Sequence, residues 1–266
     1  MFNTIKVICF LLVINVHNYT FCLGVENQSS WLKKEDPDFV LFYTSIDSAV
    51  SNEIYQLLTH GFDQIINYFG KSYNKKFDVY IFPSREELDK QWSKDWGIPD
   101  FKSECWMAAS GVAYRLDILS PRVWKAEACE HNPDDKKHVQ EIITHELMHV
   151  FHGQQNSHPD FSGMDEIGWF VEGIAVLTAG QLDNEKLNQL KNAWKENRLP
   201  INLEDGWSGK YRYAISGSLV KFIEERWGKE KLIGLLKLTN ENEILKEFNL
   251  SEELFLSEWK KWLNFK

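Results

Sequence analysis

The chain has 266 residues, 43% of them hydrophobic and 14% aromatic, which is ample for the core of one large domain or two modest ones and unlike a disordered chain. Its 39 acidic residues outnumber its 30 basic ones, the pI is near 5.4, and no basic block interrupts the acidic balance. A nucleic-acid or anionic-membrane partner is therefore excluded as the main business of the molecule.

The first 24 residues read as a secretory signal: Lys6 supplies the early charge, Val7 to Val16 the short apolar core, and Cys22-Leu23-Gly24 the small residues of a cleavage site. The apolar core is too short to span a bilayer, so the mature chain is expected to be secreted or extracytoplasmic, with no integral membrane span. Cleavage removes Cys9 and Cys22 and leaves Cys105 and Cys129, which are expected to pair in an oxidising compartment. Such a bond would close a loop of about 24 residues, worth ~3 kcal/mol on the chain-entropy model.

Residues 25 to 36 are polar and aperiodic and are expected to be a flexible lead-in. Asn27-Gln28-Ser29 and Asn249-Leu250-Ser251 fit a glycosylation acceptor if the source is eukaryotic. Phe39 to Thr44 predicts a strand, Ile46 to Phe69 a helix ending at Gly70, and Phe77 to Phe82 a second strand stopped by Pro83. Ser84 and Glu87 form a capping box for a short helix to about Trp92, followed by a loop over 93 to 106. Met107 to Ser120 predicts one or two strands interrupted near Gly111, one of which could bind an extended substrate along its edge. After a polar loop at Glu130 to Asp135, a helix is expected from about Lys137 to Gln154, then a loop, then a second helix from Asp165 to Ala179. Helices are further expected over Glu185 to Glu196, Arg212 to Trp227, Glu230 to Leu238 and Ser251 to Phe265.

The helix at Lys137 to Gln154 contains His145-Glu146-Leu147-Met148-His149. Residues i and i+4 lie one turn apart on one face, so two imidazoles can grip one metal ion there, while Ile143, Leu147 and Val150 form an apolar stripe on nearly the opposite side. Glu146 falls between these faces, where its carboxylate can reach a water beside the metal without being a ligand. A tetrahedral zinc needs a third protein ligand, and the candidates downstream are His152, His158, Asp160, Asp165, Glu166 and Glu172. The metzincin spacing is excluded, because the positions three and six after His149 are His152 and Gln155. Glu172 is the preferred ligand: it lies in an apolar helix whose neighbouring positions Gly168, Ala175 and Ala179 are small enough for close approach to another helix. His138 and His152 share the ligand face but are read as supporting or surface residues, and His131 and His158 fall in loops.

His145-Glu146-Leu147-Met148-His149 followed by Trp169-Phe170-Val171-Glu172-Gly173-Ile174-Ala175 resembles the gluzincin zinc metallopeptidases, most of all the peptidase MA-like family. The similarity extends through Tyr213-Ala214-Ile215-Ser216-Gly217-Ser218, Arg226-Trp227-Gly228 and Leu250-Ser251-Glu252-Glu253-Leu254, and covers roughly Phe77 to Trp262. It implies Zn2+ held by His145, His149 and Glu172, with Glu146 as general base. Tyr213 matches the tyrosine that approaches the oxyanion in similar enzymes, with Tyr211 two residues away as the alternative. Val176 occupies the position one turn beyond Glu172, so a partner that orients a zinc histidine must come from elsewhere. The implied fold is α+β and zincin-like: a small N-terminal sheet with helices, the central histidine helix, and a mainly helical C-terminal part. After the signal and lead-in, residues 37 to 266 are expected to form one catalytic domain, with the sheet and metal helix in 37 to 154 and the helical part in 155 to 266. The implied function is an exported zinc-dependent metallopeptidase acting on a peptide or protein substrate, its oligomeric state open. The alternatives are a secreted, non-catalytic zinc scaffold that binds a glycan or peptide through its 11 tryptophans, and a purely structural metal.

Overall fold

The computed structural model describes residues 30 to 263; the expected signal segment and the Asn27 acceptor lie outside the described residues. Five strands, β1 (Leu32–Glu35), β2 (Phe39–Tyr43), β3 (Phe77–Phe82), β4 (Ala109–Val112) and β5 (Arg115–Leu119), form one sheet in the order β1-β2-β3-β5-β4. The inner strands β2, β3 and β5 are parallel, and the two edge strands are antiparallel to their neighbours. Parallel neighbours need crossovers. Helix α1 (Ser48–Phe69) supplies the first, and α2 (Arg85–Asp95) lies on the path from β3 to the β4–β5 hairpin. Alternation in β3 buries Phe77, Val79 and Ile81, and Ile54, Leu58, Phe62, Ile65 and Phe69 of α1 are buried at helical spacing. Gly70 ends α1 at φ 64°, a left-handed conformation that glycine adopts without strain. Ser84 caps α2 by accepting from the Glu87 amide, as expected.

Four details differ from the sequence expectation. Leu32–Glu35 is a strand and not part of a flexible lead-in: it pairs with β2 through its backbone, and Trp31 just ahead of it packs edge-on against Tyr80 and Phe82. An edge strand needs main-chain partners more than apolar alternation, so LKKE carries no pattern to read. The break between β4 and β5 falls at Ala113-Tyr114, and Gly111 lies inside β4, for a reason given below. Helix α2 continues past Trp92 to Asp95. The short helices α3 (Trp124–Glu127) and, later, Glu241–Lys246 carried too little periodicity to be expected.

Beyond the sheet the chain is helical: α4 (Lys136–Gln155), α5 (Gly168–Thr178), α6 (Asn184–Lys195), α7 (Arg212–Trp227), α8 (Lys229–Leu235), α9 (Glu241–Lys246) and α10 (Glu252–Trp262). The molecule is thus α+β, as expected: a small sheet on the N-terminal side followed by a mostly helical part. Helix α4 is wedged between α1, the β4–β5 hairpin and α5, and α5 packs on α7. Cys105 and Cys129 are bonded, as expected, tying the loop before β4 to the segment after α3. No helix among the described residues is long and apolar enough to cross a membrane.

Candidate metal centre

Helix α4 opens with Asp135 accepting from the His138 amide at 3.1 Å. The His138 ring turns away from the middle of the helix: its Nε2 is 3.0 Å from Nδ1 of His131, whose Nε2 is 2.7 Å from the Trp106 carbonyl. These two histidines fasten the disulfide-bearing loop. Along α4, Ile143, Leu147 and Val150 are buried as the stripe requires, and His145 and His149 are each only 6% exposed. The histidine face is covered because β4 and α5 both press on it. A Cβ on Gly111 of β4 would lie 2.3 Å from the Glu146 carbonyl, so glycine is what lets the edge strand approach α4 this closely.

On the other side, α5 aims Glu172 at the histidines. Glu172 Oε2 is 3.2 Å from His145 Nε2, and Oε1 is 3.7 Å from His149 Nε2. The ligand atoms of the three residues all lie within 4.8 Å of one another, and they form the one such His, Cys or acid group found among the described residues. The seat of α5 is set from behind by Gly173, where a Cβ would meet the Ser216 carbonyl of α7 at 2.3 Å. Gly168, expected to face the partner helix, instead lies against Trp207.

Helix α5 ends in a Schellman turn. Gly180 has φ 78°, the Gly180 amide donates to Leu177 O at 3.2 Å, and the Gln181 amide donates to Val176 O at 3.0 Å. This turn delivers Gln181 to the site, where its Oε1 is 2.9 Å from His145 Nδ1. An amide oxygen can only accept, so Nδ1 carries the proton and Nε2 of a neutral His145 presents a lone pair. That lone pair then faces a carboxylate oxygen, two acceptors 3.2 Å apart, an arrangement that calls for a cation between them. In a tetrahedral zinc site with bonds of 2.0–2.1 Å, neighbouring ligand atoms are about 3.3 Å apart. The Glu172–histidine separations of 3.2 and 3.7 Å lie at and somewhat beyond that value, and a His₂Glu donor set is of the type that zinc takes. Gln181 is the residue the sequence analysis missed. Its signal was local, the residue after a glycine that ends an apolar helix, but only the turn shows that it reaches back.

The electrostatics show how strongly the three groups attract one another when the histidines carry the positive charge. Burial alone would raise the Glu172 carboxyl, yet the charge of His149, hydrogen bonds from both histidines and the charge of His145 hold it well below the usual carboxylate range. Burial pushes His145 down, but its hydrogen bond to and charge attraction by Glu172 outweigh this and leave it raised. Glu146 is raised by burial, with the Glu172 charge adding to the effect and the two histidines opposing it. Its proton affinity is thereby moved toward that of a useful base.

The remaining candidates are placed elsewhere. His152 is buried between Phe161 and Phe170, and burial followed by the nearby His149 pushes it down to about 3, so it stays neutral. His158 bonds Ser162 O, Asp160 accepts from the Ser162 hydroxyl, Glu166 accepts from the Glu241 amide, and Asp165 is exposed. Tyr211 is buried and donates to Glu196 at 2.9 Å, whereas the Tyr213 ring lies 6.2 Å from that of His145. Burial, followed by the charge of Glu172, raises the Tyr213 hydroxyl well above its ordinary value, which keeps it a protonated donor.

No family model and no curated protein matches this chain. Among solved structures it is similar to the native yeast LTA4 hydrolase, at 11% identity and a TM-score of 0.49, over 88% of this chain and 39% of that one. The chain thus spans well under half the length of that protein.

Proposed function

We propose that this protein is an exported zinc-dependent metallopeptidase. The observation that carries the proposal is the meeting of Glu172 with both histidines of one helical turn, at 3.2 and 3.7 Å, beside a raised and partly exposed Glu146. His145, His149 and Glu172 would hold the metal. Zinc, when bound there, supplies a Lewis acid and lowers the pKa of water toward ~7. Glu146 accepts the proton from the attacking water and returns it to the leaving amine. Gln181 fixes the tautomer and ring angle of His145, so that Nε2 points into the site. The Tyr213 hydroxyl, protonated throughout, donates to the carbonyl oxygen as negative charge develops on it. Strand β4 packs on α4 with only β5 as its partner in the sheet, so its other edge is a place for an extended peptide to pair.

Metal analysis of the purified chain, combined with a peptide-library digest with and without chelator, tests this directly. Bound zinc and chelator-sensitive cleavage are expected. Cleavage that persists in chelator would sink the mechanism.

A further inference from the structure

Next to the metal-ligand group lies a cation that the proposed chemistry does not use. Arg212 is the first residue of α7, and its guanidinium carbon lies 4.5 Å from the ring centre of Trp106, 5.3 Å from Trp207 and 5.2 Å from Tyr213. Every other arginine side chain of the protein binds an acceptor: Arg85 the Glu127 carbonyl, Arg115 Asp117, Arg122 Asp47, Arg198 Glu196 and Arg226 Glu258. Arg212 forms no ion pair among the described residues, and its buried Nε has no hydrogen-bond partner. Its guanidinium hydrogen-bonds the hydroxyl of Tyr213, the residue whose ring lies 6.2 Å from that of His145. In a chain of net charge -9, a cation left without a carboxylate beside a candidate active site is not surplus surface charge.

The aromatic faces hold the guanidinium by cation–π attraction, the Tyr213 hydroxyl takes a hydrogen bond from it, and no carboxylate meets its remaining N–H donors. The clamp is rigid on both sides. Trp106 follows the bonded Cys105, and its carbonyl is held by His131. Trp207 packs edge-on against Tyr213 at 4.8 Å. The clamp therefore spans from the loop just ahead of β4, the strand offered to substrate, to the start of α7. A planar fork of donors held in place matches a carboxylate, and a preorganised fork spends less entropy in binding one.

We propose that Arg212, clamped by Trp106, Trp207 and Tyr213, is the substrate anchor of this site and recognises a carboxylate on the substrate, either a free C-terminus or an acidic side chain. This rests on the peptidase proposal for the substrate being a peptide. The test uses calorimetry on the full chain carrying Glu146→Gln, which does not turn substrate over. Three probes are titrated: acetyl-hexaalanine with a free carboxylate, its C-terminal amide, and that amide with one glutamate scanned through the six positions. One charged probe should bind about tenfold tighter than the neutral amide, and which one it is identifies the source of the carboxylate. Adding Arg212→Gln should abolish the difference, and Arg212→Lys should keep part of it. Equal binding of all three probes, no binding by any, or a loss in Arg212→Gln that is the same for charged and neutral probes would each overturn the anchor. Hydrolysis of the same peptides by the wild-type chain separates the two proposals. Cleavage without charge preference removes the anchor and leaves the peptidase, whereas charge-selective binding without cleavage removes the peptidase and leaves the anchor.

Discussion

Helix α5 has two seams, and they are built on opposite principles. Toward α7 the contact is apolar and as close as backbones allow: a Cβ at Gly173 would clash with the Ser216 carbonyl, and one at Gly217 would come within 2.6 Å of Val176. Toward α4 three ionisable side chains converge on one point, with Glu172 3.2 and 3.7 Å from the two histidines. The first seam is complete by itself. The second leaves acceptors facing each other and His149 Nδ1 without a hydrogen-bond partner among the described residues. Buried polar groups that depend on one another cost stability unless a cation joins them, so the close-packed seam must hold the polar one in place. Adjacent residues, Gly173 and Glu172, serve the two seams.

The largest effects should come from the polar seam. His149→Ala and Glu172→Ala are expected to lose zinc on dialysis, while Glu146→Gln keeps it and loses roughly 10²–10⁴-fold in kcat. Full zinc in both ligand variants, measured by elemental analysis, would remove the assignment. Tyr213→Phe should lower kcat by about 10²–10³ with zinc retained. An unchanged rate would show that the hydroxyl plays no part. On the close-packed seam, Gly173→Ala should cost about 1–3 kcal/mol through overpacking and weaken zinc binding as Glu172 shifts. Denaturant unfolding and a zinc titration on the same variant read both effects, and a change in stability with zinc affinity untouched would break the coupling between the seams. Gln181→Ala should weaken zinc by about tenfold, because the ligand histidine is no longer oriented. The smallest effect belongs to Tyr211→Phe, which loses its bond to Glu196 and about 1 kcal/mol of stability. If kcat falls as well, the two tyrosines have been assigned the wrong way round.

Much of this site could be read from residue spacing. His145, Glu146 and His149 lie one turn apart within a helix, and the helical period alone places them on adjoining faces. The apolar setting of Glu172 marked it as unsuited to solvent, and the structure does bring it to the histidines. The cysteine pair followed from counting. Strand β1 was not legible, since a charged tetrapeptide at a sheet edge takes its structure from backbone pairing and not from side-chain pattern. Gly111 shows the same limit: inside a strand-like run it looks like a break, but it is the point where a helix backbone comes too close for any side chain.

The sequence by itself determined the composition class, the α+β order of elements and the chemistry of each candidate ligand, because these depend on local period and residue type. Tertiary structure alone decided that Gln181 supports His145, that Tyr211 is occupied by Glu196 while Tyr213 stands beside the histidine, and that Arg212 is clamped without a carboxylate. Each is a contact between residues distant in sequence or a choice between neighbours. It is set by where close-packed helices leave room, which no short window of residues encodes.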